Sequence, residues 1–312
     1  MDHRILKNMQ SIIQVSALNK AYSGHKALDD FSLSIPKNSV FGLLGPNGAG
    51  KTTFIRLLTQ ITKPDSGTIL FNNQPLKSSD INLIGYMPEE RGLYKKMDVG
   101  EQAVYLAQLK GLSRVDAIKK LKYWFEKFEI TQWWNKKIEE LSKGMQQKVQ
   151  FIVTIVHEPL LIILDEPFSG FDPINADLIK DELINIQKKG TTIILSTHRM
   201  ESVEELCTDI ALINKSRLVL SGAIKDVIRK HSDNTYSIEY KGDNLSHELS
   251  EYNLISDDVF EDNRRLLVKL NDDNLNPLLS ALLSKVKVAS VKEVIPSMNE
   301  IFVRTVKNDI HE

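Results

Sequence analysis

The chain has 312 residues, 42% of them apolar and 26% charged, enough for one large domain and a small one. Its 40 basic and 41 acidic side chains leave a formal net charge of −1, so neither a nucleic-acid partner nor an anionic lipid surface is expected. The lysines at Lys119, Lys120 and Lys122 read as the wet face of a helix. No stretch approaches the roughly 18 apolar residues of a membrane span, and His3, Arg4 and Lys7 precede no long apolar run, so no secretory signal is expected. A lone cysteine, Cys207, excludes an intramolecular disulfide and reads as packing.

In chain order, the first elements are short strands at Ile12–Leu18, Phe31–Ile35 and Val40–Leu44, punctuated by Ser23-Gly24 and Pro36-Lys37-Asn38. A helix follows from Lys51 to about Ile61. Pro64 and Gly67 then interrupt, before strands at Thr68–Phe71 and Leu83–Tyr86. From Val99 to Leu141 the spacing of Val104, Leu106, Leu109, Leu112, Ile118, Leu121, Trp124, Phe125 and Phe128 predicts helices. A further helix is expected over Gln146–Val156. The runs Leu160–Leu164 and Thr191–Leu195 are apolar throughout, as in parallel strands buried on both faces, and Ala176–Lys188 between them has helical period. After Arg229 the expectation is strands at Thr235–Tyr240 and Leu266–Leu270, with helices at Leu275–Leu283 and near Asn299. Lys241–Asp262 is acidic and polar, without strong periodicity.

Chemistry concentrates in a few places. Gly45-Pro46-Asn47-Gly48-Ala49-Gly50-Lys51-Thr52 satisfies G-x-x-x-x-G-K-[ST] between an expected strand and an expected helix. Glycines let main-chain amides close around phosphates, and the helix N-terminus adds partial positive charge. Lys51 would neutralise the β- and γ-phosphates, and the Thr52 hydroxyl would sit on Mg²⁺, with Thr53 beside it. The strand Leu160–Leu164 ends in Asp165-Glu166. Asp165 is the metal-side candidate and Glu166 the general base facing an attacking water.

The order of these motifs is similar to that of ABC transporter ATP-binding proteins, over about residues 10–230. Leu141-Ser142-Lys143-Gly144-Met145-Gln146 resembles the family's Leu-Ser-Gly-Gly-Gln signature loop, departing from it at Lys143 and Met145. Read alone, it is a serine-capped helix start. Ser169-Gly170-Phe171-Asp172 resembles the D-loop, His198 the switch histidine that contacts the γ-phosphate, and Tyr22 the aromatic on which adenine stacks. Tyr86-Met87-Pro88-Glu89-Glu90 places Glu89 where the family has a metal-ligating glutamine.

The resemblance implies an α/β P-loop NTPase fold with an antiparallel β subdomain and an inserted helical subdomain at about 96–157. The ATPase domain would span 10–229, with a small α+β domain over 230–312. It implies ATP and Mg²⁺ as cofactors. It also implies a second cassette, in a homodimer or with a partner, clasping ATP between the P-loop of one and Ser142, Lys143, Gly144 and Met145 of the other. Integral membrane permease subunits would dock along Glu89–Met97, so that the chain lies in the cytoplasm on the inner face of the membrane. Pro296-Ser297-Met298-Asn299-Glu300-Ile301-Phe302 resembles the ending of bacterial sodium, drug and peptide exporter ATPases. The alternatives are a soluble ABC-type ATPase acting on ribosomes or DNA, and a GTPase or small-molecule kinase. For the latter, Thr62-Lys63-Pro64-Asp65 resembles a guanine-reading motif, although a turn explains it better.

Overall fold

Alternating apolar positions build the first element pair. The computed structural model describes residues 11–90, 92–245, 249, 252–260, 263–272 and 274–308. In it Ser11–Tyr22 (β1) and His25–Pro36 (β2) form an antiparallel hairpin that turns at Ser23-Gly24. Their inward side chains include Ile13, Val15, Leu18, Phe31 and Ile35. Val40–Leu44 (β3) is buried at every position and feeds the helix Lys51–Leu58 (α1). That helix stops three residues short of the expected Ile61. Thr59 Oγ1 bonds back to the Ile55 carbonyl at 2.8 Å, and Gln60 adopts φ +57°, a left-handed conformation that cannot continue the helix.

Ser66–Phe71 (β4) and Gln74–Pro75 (β5) complete a four-stranded sheet in the order β2-β1-β4-β5. Ile84–Met87 (β6) then enters a second sheet, beside which the chain builds its helical block. The helices are Val99–Leu109 (α2), Arg114–Lys127 (α3) and Lys143–Ile155 (α4). Helix α4 begins three residues before the expected Gln146, because Ser142 caps it by accepting from the Met145 amide at 3.3 Å. Leu109 does not join the core as its spacing suggested. It is 59% exposed, and α2 instead buries Val99, Ala103, Val104 and Ala107. Phe128 meets Phe151 at a ring separation of 5.8 Å, which ties α3 to α4.

The continuous apolar runs are where both-face burial predicts. Leu161–Asp165 (β7) and Thr192–Ser196 (β8) are fully buried parallel neighbours. Between them Pro173–Lys188 (α5) starts three residues ahead of Ala176, with Asp172 as its cap and Pro173 in the first turn. Met200–Leu206 (α6) precedes the hairpin Asp209–Asn214 (β9) and Arg217–Ala223 (β10). The large sheet runs β10-β9-β3-β8-β7-β6, parallel except for β10. Cys207 lies just past α6, with burial pushing its thiol up to about 12; it is an inert packing group. A Cβ on Gly42 would lie 3.2 Å from its sulfur, a tight contact, so β3 runs close beside this helix end.

The hydrophobic core joins both sheets to α1. Phe54, Ile55, Leu57 and Leu58 pack among Leu18, Leu28, Phe31, Leu43, Ile163 and Ile213, with the rings of Phe31 and Phe54 5.0 Å apart. This packing fixes the helix whose first turn carries Lys51 and Thr52.

The described chain divides into two compact units: residues 11–224 together with 305–308, and Lys225–Arg304. The second opens with Ile224–His231 (α7), of which it takes all but the first residue. It then holds Thr235–Lys241 (β11), Asn253–Phe260 (β12), Asn263–Lys269 (β13), Asn276–Leu283 (α8), Lys287–Glu293 (β14) and the part of Met298–Asn308 (α9) up to Arg304. Its antiparallel sheet has the order β12-β13-β11-β14, and Leu278 and Leu282 of α8 join Ile238, Tyr240, Leu266 and Val268 in the core. The stretch read as unpatterned contains β12. The Asp257 side chain is enclosed there, accepting from Tyr240 Oη at 2.7 Å and Arg264 Nε at 2.9 Å, so an acidic side chain is accommodated because it is paired. Residues 246–248, 250, 251, 261 and 262 of that stretch lie outside the described residues, as do His3, Arg4, Lys7 and Arg91.

Candidate functional site

Residues 45–50 form a tight loop that only glycine permits at two points. Gly45 has φ +152°, and a Cβ there would fall 2.3 Å from the Ile213 carbonyl oxygen. Gly50 has φ +117°, and a Cβ would fall 2.5 Å from the Ala27 carbonyl oxygen. Gly50 also caps α1, with no side chain to occupy the first-turn amides. Those amides have no intrahelical partner, so the helix presents them, with its dipole, to an anion. Lys51 Nζ donates to the carbonyls of Gly45 at 2.6 Å and Pro46 at 3.0 Å. Burial lowers the Lys51 pKa, while Asp165, Glu166 and Glu89 oppose that shift.

Strand register brings the carboxylates to the same rim. Met87 pairs with Leu164, and Asp165 with Ser196, so the carboxyl ends of β6, β7 and β8 stand side by side. Ligands of open parallel sheets bind at this edge. Glu89 emerges after β6, Asp165 and Glu166 after β7, and His198 after β8.

Glu166 is the most constrained of these. Its φ of +50° is left-handed, costly for a non-glycine residue and held by its neighbours. The Glu166 amide donates to the Ser196 carbonyl at 2.8 Å. Its Oε1 accepts from the His198 amide at 2.9 Å and lies 2.7 Å from His198 Nδ1, while Oε2 accepts from Thr197 Oγ1 at 3.1 Å. Asp165 is buried. Desolvation raises its pKa, Glu89 and Glu166 add the same sign, and Lys51 opposes them.

These groups share one cleft of about 420 Å³. Of the residues singled out in the sequence, Tyr22, Asn47, Gly48, Gly50, Lys51, Thr52 and Thr53 line it from the P-loop side. Glu89, Asp165, Glu166 and His198 line it from the strand ends. Within the loop, Gly45 and Ala49 are buried and Pro46 is partly covered. Tyr22 is 39% exposed, with Lys20 Nζ 5.4 Å from its ring. Lys20 is in turn held at 2.7 Å by Asp65, which also accepts from the Ala21 amide. Thr62–Asp65 is an irregular segment whose Asp65 braces the end of β1, which accounts for the resemblance to a guanine-reading motif.

Three further lining residues, His25, Ala27 and Arg56, were not foreseen. Arg56 had a signal: it lies four residues after Thr52, on the same face of α1. His25 and Ala27 reach the cleft through the β1–β2 hairpin, which local pattern does not place.

The signature-like loop is elsewhere. Ser142, Lys143, Gly144 and Met145 do not line the cleft. They open α4, with Gly144 beside the Gly170 carbonyl, 3.4 Å from where its Cβ would be. Asp172 likewise lies outside the cleft. It caps α5, accepting from the Asn175 amide at 3.0 Å, a bond that lowers its pKa.

Among the described residues, no three His, Cys, Asp or Glu side chains are grouped to hold a metal ion by themselves. The oxygen donors of Thr52, Asp165 and Glu89 nevertheless share the cleft. Such hard ligands suit Mg²⁺ that brings phosphate oxygens of its own, since Mg²⁺ is usually bound by one or two carboxylates plus substrate phosphates. The residues fit that ion. Among the described residues, no helix is long and apolar enough to cross a membrane.

Comparison with known proteins agrees with this geometry. The ABC transporter family model matches residues 28–169, and a model for the C-terminal domain of DrrA1-3-like ATP-binding proteins matches 222–306. The chain is 40% identical over 295 residues to the uncharacterized ABC transporter ATP-binding protein YhaQ of Bacillus subtilis (strain 168), covering 95% of this chain and 98% of that one. It is 31% identical to the Nod factor export ATP-binding protein I of Cupriavidus metallidurans, over 70% of this chain and 74% of that one. A solved ATP-binding subunit of an ABC transporter superposes with a TM-score of 0.66 at 28% identity, over 70% of this chain and 93% of the other. With its P-loop NTPase fold and this motif order, the chain belongs to the ABC transporter ATP-binding proteins.

Proposed function

We propose that the chain hydrolyses ATP as one half of a head-to-tail pair of cassettes and thereby drives export through separate membrane subunits. One observation carries this reading: the cleft that gathers Lys51, Thr52, Asp165 and Glu166 does not include Ser142–Met145. An ATP enclosed by both groups needs a second copy to supply the signature loop, whose helix N-terminus then adds its own partial positive charge.

Each residue then has a role. Tyr22 stacks on adenine, main-chain amides of Gly45–Thr53 cradle the phosphates, and Lys51 neutralises the β- and γ-oxygens. Thr52, Asp165 and Glu89 hold Mg²⁺, which when bound neutralises charge on the phosphates. Glu166 accepts the proton of the attacking water, a contribution of roughly 10²–10⁴-fold. Its contact with His198 and Thr197 keeps one carboxylate face fixed. His198 contacts the γ-phosphate, and Ser142, Lys143, Gly144 and Met145 approach the ATP of the other protomer, with Asp172 alongside. The helical block and Glu89–Met97 pass the motion to permease subunits on the cytoplasmic face of the membrane. The export sense draws on the name of one relative, the Nod factor export ATP-binding protein I.

Mixing two inactive variants tests the composite site. Lys51→Met and Ser142→Arg should each abolish hydrolysis as homodimers. In a heterodimer, the Ser142→Arg protomer's P-loop meets the intact signature loop of the Lys51→Met protomer. An equal mixture should recover roughly a quarter of wild-type activity if protomers exchange freely and symmetrically. No recovery, in a mixture shown to exchange subunits, would remove the head-to-tail arrangement.

A further inference from the structure

Helix α4 carries two buried amide side chains that the roles above leave unused. Gln147 and Gln150 are 5% and 4% exposed and lie three residues apart, on one face of the helix. Burying an amide is unfavourable unless it is hydrogen-bonded, and here each donates to one particular carbonyl. Gln147 Nε2 donates to the Pro167 carbonyl at 2.9 Å, and Gln150 Nε2 to the Pro88 carbonyl at 2.9 Å.

Those two prolines border the acidic loops. The Pro88 carbonyl belongs to the peptide plane that leads into Glu89, so holding it fixes where Glu89 departs from β6. The Pro167 carbonyl belongs to the plane that follows Glu166-Pro167, beside the residue held at φ +50°. A strained residue persists only where its surroundings over-determine it, and Gln147 holds the carbonyl of the residue that follows Glu166. At the start of the same helix, Gln146 Nε2 donates to the carbonyls of Ile138 at 3.1 Å and Leu141 at 3.0 Å, clamping the stem of the Ser142–Met145 loop.

One rigid helix thus grips three loops: the signature-like loop through Gln146, the Glu166 loop through Gln147 and the Glu89 loop through Gln150. Resting on the function proposed above, we infer that Gln147 and Gln150 are positioning residues. Through them α4 aligns the general base and the metal-side carboxylate in the same protomer whose signature loop serves the partner's ATP. Neither touches the cleft, so each acts only through the loop it holds.

The two grips make separable predictions. Methionine has similar length and helix propensity but no donor. Gln150→Met should raise the Mg²⁺ concentration that gives half-maximal binding of trinitrophenyl-ATP by about tenfold, and leave binding of that probe in EDTA unchanged. Gln147→Met should lower kcat by about tenfold with KM and the Mg²⁺ requirement unchanged. Gln→Glu variants at each position preserve side-chain volume and lose the donor when ionised, so they replace a methionine variant that does not fold. Wild-type values in both assays, or both readouts moving together in both variants, would overturn the proposal. Failure of all four variants to fold would do so too, by assigning the glutamines to fold stability alone. If wild-type protein itself neither retains nor hydrolyses ATP, the proposed function fails instead, an outcome distinct from each of these.

Discussion

Replacing Lys51 by methionine separates ligand recognition from fold stability. The ammonium faces three carboxylates, Glu89, Asp165 and Glu166, and is the one lysine lining the described cleft. Its removal leaves a triphosphate to approach those carboxylates without that cation. A hydrogen bond from a charged donor contributes about 1.5–3 kcal/mol, so losing one to a phosphate oxygen should weaken ATP binding roughly 10- to 150-fold. Folding stability should change far less. The Lys51 bonds to the Gly45 and Pro46 carbonyls lie at a partly open rim, where water can replace them. Titration of a fluorescent ATP analogue, with urea unfolding of the same preparations, reads both quantities. Affinity within threefold of wild type would refute this account of the loop, and so would an affinity loss matched by an equal loss of stability.

Two predictions concern the frame around the site. His157, at the end of α4, has its pKa pushed down to about 4 by burial, with Lys110 adding the same sign. An unfolded histidine titrates near 6.5, so its contribution is complete above that pH and is lost as pH falls from about 6.5 towards 4. The difference between pH 7 and pH 5 should be about 1–2 kcal/mol of unfolding free energy, discounted for partial exposure. His157→Gln should flatten that slope in urea titrations at the two pH values, and an unchanged slope would contradict it. Lys127 of α3 is paired with Glu182 of α5, whose side chain is 4% exposed, and the same ammonium lies 5.1 Å from the centre of the Trp124 ring. Lys127→Met should strand that carboxylate and destabilise the chain by about 2–3 kcal/mol, below the fully buried range because Lys127 is one-third exposed. Thermal and urea unfolding measure it. A loss under about 0.5 kcal/mol would place the pair in the weak surface class.

Both-face burial made the central strands legible. Leu161–Asp165 and Thr192–Ser196 differ by one residue from the runs read in the sequence, because parallel strands under helices have no polar face to blur the pattern. The P-loop and Asp165-Glu166 were legible for a different reason: each needs fixed residue types at fixed spacing. Helix starts were missed by three residues at Lys143 and Pro173, where the apolar period begins late and the cap residues Ser142 and Asp172 mark the true entry. Strand β12 was hidden by Asp257 and Asp258, because only the folded chain supplies Tyr240 and Arg264 as partners for a buried carboxylate. Leu109 shows the opposite error, an apolar residue at helical spacing that faces outward. His25 and Ala27 enter the cleft through a hairpin whose course depends on long-range pairing, which no local window contains.

In the function proposed, the carboxylate of Glu166, fixed by His198 and Thr197, takes the proton of the water that attacks bound ATP. Single-turnover hydrolysis by Glu166→Gln, with nucleotide binding measured on the same protein, addresses it directly. The amide keeps the shape and loses the base, so the chemical step should slow by roughly 10²–10⁴-fold while ATP stays bound with wild-type affinity. Hydrolysis at the wild-type rate by Glu166→Gln would contradict the assignment.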